Sequence, residues 1–140
     1  MGSHTESFTV ERHLTEEMGS ITVARQIVRD ALAAWDYAGQ HEDVLLVVSE
    51  LVTNALMHGA GAPVLRMTKE ATHIRIEVGD SSEEAPKARE PGPADGWGMH
   101  VIGRLSSRWG ISHREGGKVV WCELATPFAA FAPDPGGLRA

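Results

Sequence analysis

From Val44 to Met57 the chain contains neither proline nor glycine, and Val44, Leu45, Val47, Val48, Leu51, Val52, Ala55 and Leu56 recur at steps of three and four. That period predicts a helix with one wide apolar face, a helix mostly buried in the fold. His41-Glu42-Asp43 supplies acidic residues at its start, where the helix dipole favours them, and Gly59-Ala60-Gly61-Ala62-Pro63 ends it sharply. Upstream, Ser7 to Leu14 alternates Phe8, Val10 and Arg12 against Thr9 and Glu11, the pattern of a short strand. Ser20 is placed to cap a first helix running to Tyr37, with Ile21, Ala24, Ile27, Val28, Ala31, Leu32 and Trp35 on its buried side and Gly39 closing it.

Period two returns after the long helix. Pro63 to Lys69 sets Val64, Arg66 and Thr68 against Leu65 and Met67, and Thr72 to Gly79 alternates Ile74, Ile76 and Val78 with Arg75 and Glu77. The short link through Glu70 and Ala71 makes these an antiparallel hairpin, with Asp80 just past its second strand. Ser81 to Asp95 has three prolines, many charges and no apolar period; a connection of that kind inside a compact domain is usually a functional lid or disordered. Gly96-Trp97-Gly98-Met99 then opens a helix to Ser107. Arg108 to Arg114 and Lys118 to Leu124 form a second hairpin around Glu115-Gly116-Gly117. The expected fold is therefore α+β: a two-layer sandwich of one mixed, mostly antiparallel β-sheet with the helices packed on one face.

Composition narrows this picture a little. A chain of 140 residues is expected to form one domain, here residues 7–125. Residues 1–6 are read as a disordered start or cloning remnant, and residues 126–140, rich in proline and glycine, as a flexible tail. The net charge of −6 argues against a direct nucleic-acid surface. No apolar run approaches a membrane span and no signal segment opens the chain, so no membrane is expected. The single cysteine, Cys122, fits a reducing cytoplasm and, in its alternating apolar segment, reads as an inert buried thiol. The seven histidines show no zinc-ligand spacing. The basic residues from Arg104 to Arg114 lie within helix and strand patterns and read as a solvated face.

Three separated pieces carry candidate chemistry. Glu50, Asn54 and His58 are four apart and stack on one face of the long helix. A carboxylate there can take a proton or orient water, and an amide oxygen one turn on suits Mg²⁺; a satisfied polar seam between helices is the alternative. Asp80 is an acceptor fit for an exocyclic amine such as adenine's, or a turn residue at a strand end. Gly96-Trp97-Gly98 opening a helix would let backbone N–H groups reach phosphate, or simply ends a loop. Each signal is weak alone; their order around a long loop is more specific.

These motifs are similar to those of the ATP-binding domain shared by histidine kinases, gyrase and MutL (the GHKL, or Bergerat, superfamily), and within it to the small bacterial anti-sigma factor serine/threonine kinases. ELVTNALMHG resembles the N-box, and EVGDSSEEAP a first glycine box of the form Asp-x-Ser-x-x-x-Pro, met by Asp80, Ser82 and Pro86. GWGMHVIGRLSSRWG resembles the second glycine box with its helix, and GGKVVWCEL the closing hairpin. The similarity covers roughly Ser7 to Leu124. It implies Glu50 as catalytic general base, Asn54 as ligand of the Mg²⁺ that bridges the ATP phosphates, and Asp80 as partner of the adenine amine. Gly96 and Gly98 would admit backbone amides to the phosphates, with Ser82, Trp97 and Met99 in the matching boxes also at the nucleotide. His58 would contact phosphate or cap the helix.

The implied function is a cytoplasmic kinase that sequesters a sigma factor and phosphorylates a STAS-domain anti-anti-sigma protein on serine, with a homodimer also implied. Two departures stand out. Ser81, Ser82 and Glu83 replace the glycines of the better-known first box, and Trp97 stands where a basic residue is frequent. Both bear on catalysis more than on nucleotide binding. The rival function is a catalytically weak nucleotide-binding module that switches partners through lid ordering. A detached histidine-kinase catalytic domain is disfavoured because the chain has no room for a long dimerisation helix pair.

Overall fold

The computed structural model describes residues 8–81, 100–114 and 116–126. Its elements are β1 (Phe8–His13), α1 (Ser20–Ala34), α2 (His41–His58), β2 (Val64–Lys69), β3 (His73–Asp80), a helical segment α3 over residues 100–105, β4 (Arg108–Arg114) and β5 (Gly117–Ala125). The strands form one sheet in the order β1-β2-β3-β5-β4. Among the described residues every pairing is antiparallel, where a mixed, mostly antiparallel sheet is expected. The expected α+β sandwich is otherwise what forms.

Strand alternation decides which sheet face receives the helices. Leu65, Met67, Ile74, Ile76, Val78, Val120, Cys122 and Leu124 are buried with Val28, Leu32, Val44, Leu45, Val48, Leu51 and Val52 of the helices. Seven of the eight apolar positions expected on α2 are buried, Leu56 being half-buried. The Cys122 thiol is buried, and desolvation pushes its pKa up to about 12, so it is inert as expected.

Four local expectations differ from the structure. Ser20 is the first helical residue rather than the cap; its buried hydroxyl receives the Thr15 N–H at 3.1 Å and donates to the Thr15 carbonyl at 2.8 Å. Helix α1 ends before Tyr37. Asp36 takes a left-handed φ of 55° and the Tyr37 N–H bonds the Leu32 carbonyl, a reversal that usually recruits glycine but that Asp tolerates. Gly39 instead makes room for the Tyr37 ring, which a Cβ would strike. Finally, Asp80 is the last residue of β3, in register with Lys118, not a residue beyond the strand.

Candidate functional site

Helix α2 carries Glu50 and Asn54 at its partly buried flank and His58 at its exposed last turn. At about 1.5 Å per residue, Glu50 and Gly59 lie roughly 14 Å apart along the axis, with Asn54 between them. The helix is anchored just before Glu50: Arg25 Nη1 of α1 donates to Ser49 Oγ at 2.8 Å, and that hydroxyl donates back to the Leu45 carbonyl at 2.9 Å. Burial raises the Glu50 pKa, because the charged carboxylate loses hydration.

The far end of α2 runs into Asp80. Gly59 closes the helix in an extended conformation, and a Cβ there would sit 2.5 Å from Asp80 Cγ and Oδ2. The next residues hold the strand end in place. Ser81 N–H donates to the Ala60 carbonyl at 2.7 Å, and Gly61, with φ of +76°, leaves room for the Ser81 hydroxyl. From the other side Gly117 abuts the Asp80 backbone, at a turn made possible by the left-handed Gly116, φ +84°. Gly59, which ends the helix, thus brings bare backbone against the Asp80 carboxylate, and Gly117 of the hairpin brings it against the Asp80 carbonyl.

That carboxylate is ion-paired. Lys118 Nζ donates to Asp80 Oδ1 at 3.1 Å and Oδ2 at 2.8 Å, and each side chain is 1% exposed. Asp80 shares the helix-facing side of the sheet with Ile74, Ile76 and Val78, and Lys118 shares it with Val120, Cys122 and Leu124. Lys118 was not among the expected site residues. Its signal was present in the chain: a lysine at the inward register of an otherwise apolar alternating strand is out of place unless it has a buried partner.

Of the expected site residues, the structure brings Asp80 against the end of the helix that bears Glu50, Asn54 and His58. Ser82, Gly96, Trp97, Gly98 and Met99 lie outside the described residues, as do most of the expected lid and the start of its following helix. A cavity of about 370 Å³ opens elsewhere, bordered by Glu11, Arg66, Glu77 and Arg114 together with Asp80 and Lys118, and by none of the three α2 residues. Among the described residues no group of three or more His, Cys, Asp or Glu gathers as a metal cage, and no helix is long and apolar enough to cross a membrane.

This arrangement can place a base and an amide along one wall of a ligand and an acceptor-donor pair at its end. The chain is similar in fold to a solved structure, the RsbU and RsbW domains of Rv1364c from Mycobacterium tuberculosis, at a TM-score of 0.64 and 21% identity. The likeness covers 86% of this chain but 33% of the other, so the chain spans about a third of that protein's length. No curated protein matches it significantly. The histidine kinase-like ATPase domain family matches residues 14–124, which take in both long helices and strands β2 to β5 but not β1. The chain belongs to that family.

Proposed function

We propose that the protein is an ATP-binding anti-sigma factor serine kinase, holding a sigma factor and phosphorylating a STAS-domain antagonist on serine. The observation that carries the reading is the run of Glu50 and Asn54 along α2 into Gly59, whose backbone lies against Asp80. A nucleotide laid along this wall has its base at Asp80 and its phosphates toward Asn54 and Glu50. The ATPase family membership supports ATP as the ligand, and the RsbW domain in the name of the structural neighbour supports the anti-sigma branch.

Asn54 fits Mg²⁺ in the manner usual for phosphate-bound magnesium, which takes one or two protein oxygens and keeps phosphate and water for the rest. The ion would neutralise charge on the phosphates as it develops. Glu50 accepts the seryl proton while the serine oxygen bonds the γ-phosphorus. The bond from that phosphorus to the bridging oxygen breaks, and ADP leaves. A carboxyl whose pKa is raised by burial is better matched to this proton transfer than an exposed one.

Incubating the purified protein with Mg-ATP and its cognate antagonist tests the reading. Phosphate transfer to serine that disappears in Glu50→Ala is the expected result. ATP binding without transfer to a verified antagonist would instead identify a nucleotide-dependent switching module. Asn54→Ala should remove the magnesium dependence of ATP binding while leaving the fold intact, and unchanged affinity would take Asn54 out of the site.

A further inference from the structure

The sheet has a hollow on the face turned away from the helices, and Gly79 lies at its floor. Val64, Gly79 and Val119 stand side by side there on β2, β3 and β5. Glycine inside a strand is unfavourable and commonly marks a place where another group comes close. The fold itself does not call for it here. Gly79 is not among the glycines with positive φ, and a Cβ would meet a Val119 methyl at 3.4 Å and the Lys118 carbonyl at 3.6 Å, both ordinary contacts. The space left by the missing side chain opens into the cavity of about 370 Å³ bordered by Glu11, Arg66, Glu77 and Arg114. Asp80 and Lys118 turn their side chains to the opposite face, each 1% exposed, so they border this cavity with backbone.

The charges around that floor are unevenly committed. Glu77 is held by Arg75 at 2.8 Å. Among the described residues neither Arg66 nor Arg114 enters an ion pair or a side-chain hydrogen bond. Glu11, facing Arg66 in register, is the other acid on the rim. Two uncommitted guanidiniums therefore oppose one carboxylate, on a chain of net charge −6. Strands β2 and β4, which carry the two arginines, stand three strand spacings apart in the sheet, about 14 Å. Guanidiniums that reach one hollow from opposite sides, over an aliphatic floor of Val64 and Val119, suit an elongated ligand with an anionic group at each end. Planar carboxylates match the guanidinium fork. We propose that this hollow is a binding site for a short linear dicarboxylate, separate from the nucleotide wall along α2. Arg66 receives one carboxylate, Arg114 receives the other, and the methylenes between them lie over Gly79.

Amide chemical shifts of the labelled protein, titrated with glutarate at constant ionic strength, test this. Saturable shifts are expected, strongest at Gly79 and Gly117. Butyrate, with one carboxylate, and inorganic phosphate, a compact anion, should bind at least about tenfold more weakly. Arg66→Met and Arg114→Met should each weaken glutarate by about tenfold to a hundredfold, the effect of losing hydrogen bonds to a charged group. Glu11→Gln should strengthen it, because the opposing charge is gone. Gly79→Val fills the floor with a better strand former and should abolish binding in a folded protein. No saturable shift with glutarate, equal binding of butyrate or phosphate, or a folded Gly79→Val variant that still binds would overturn the site. Shifts of the same amides on diluting the protein alone would assign this face to a second copy of the chain and overturn it as well. None of these readouts requires ATP, so failure of the nucleotide reading leaves them unchanged.

Discussion

Strands β3 and β5 carry ion pairs on both of their faces, and the two sets obey different physics. On the helix side, Asp80 and Lys118 face each other with each side chain 1% exposed. On the open side, Arg75 meets Glu77 Oε2 at 2.8 Å and Glu123 Oε2 at 2.9 Å, lies 4.2 Å from the centroid of the Trp121 ring, and is 26% exposed. Arg108, 69% exposed, approaches Glu123 at 3.5 Å. Water reaches Arg75 and Arg108 of the second network, and Glu123, only 10% exposed, still has Arg108 beside it when Arg75 is lost. Water cannot readily solvate either member of the first. A charge pair of this kind could be replaced with two apolar side chains at little cost, so stability alone does not account for it.

The sharpest test of that contrast is to remove one partner from the buried pair. Lys118→Met leaves the Asp80 carboxylate without its cation in a closed layer, and a loss of about 3–5 kcal/mol in urea unfolding is expected. Adding Asp80→Asn should recover most of it, since a neutral pair has no charge to strand. If the single variant unfolds at the native midpoint, the pair is reached by solvent and the distinction between the two faces fails.

A smaller effect separates glycines on the two sides. Gly59→Ala places a methyl 2.5 Å from the Asp80 carboxyl carbon and 2.6 Å from the Ala55 carbonyl, so either the helix end or the ion pair must shift. The expected cost is about 1–3 kcal/mol. Gly79→Ala, on the open face, meets a Val119 methyl at an ordinary contact distance of 3.4 Å and should cost less. Thermal unfolding of the two variants side by side checks the order, and the reverse order would show that the Asp80 end is loosely packed.

How much of this could be read in the chain differs by region for the same reason. The apolar run of α2 is long and one-periodic, so its existence, its buried face and its end at Gly59 were all legible. The strand pairs were legible because alternation and the Glu115-Gly116-Gly117 turn agree. The end of α1 was not, since Asp36 rather than a glycine adopts the left-handed reversal, and a left-handed Asp leaves no compositional mark. Ser20 had the identity of a cap but turns its hydroxyl back to Thr15. Lys118 is the most consequential residue that alternation alone hides: it shares the inward register of Val120, Cys122 and Leu124, but a lysine there reads as exposed until its partner on β3 is known. What Asp80 pairs with depends on strand order, and β5 lies beside β3 only because β4 takes the edge.

The open-face network should respond weakly. Burial works against the Arg75 charge, yet its hydrogen bonds to Glu77 and Glu123 leave the guanidinium more basic than usual, so it remains charged and paired. Arg75→Met is nonetheless expected to cost about 1 kcal/mol or less, part of it lost stacking on Trp121. The cost should shrink further in high salt, which the Lys118→Met effect should not do to the same extent. Denaturant midpoints at low and high salt for both variants measure the difference.

The smallest expected effect reverses sign. Glu50 sits between the two extremes, half-buried, its pKa raised above the ordinary 4.5 by desolvation. The folded state therefore holds that proton more tightly than the unfolded chain does. The stability this lends is fully present below the unfolded pKa and is lost as pH rises through the folded value. At neutral pH the native protein thus bears the cost of a poorly hydrated carboxylate, and Glu50→Gln should unfold at slightly higher urea than the native protein. Below the ordinary carboxylate pKa the two should converge, because both side chains are then neutral. Urea midpoints across that pH range decide it: a Gln variant that is weaker at neutral pH would mean that Glu50 earns its place through an ionic contact, as Arg75 does. A variant that gains stability while losing phosphate transfer would show a carboxylate retained against the interest of the fold, the signature expected of a group that is there for chemistry.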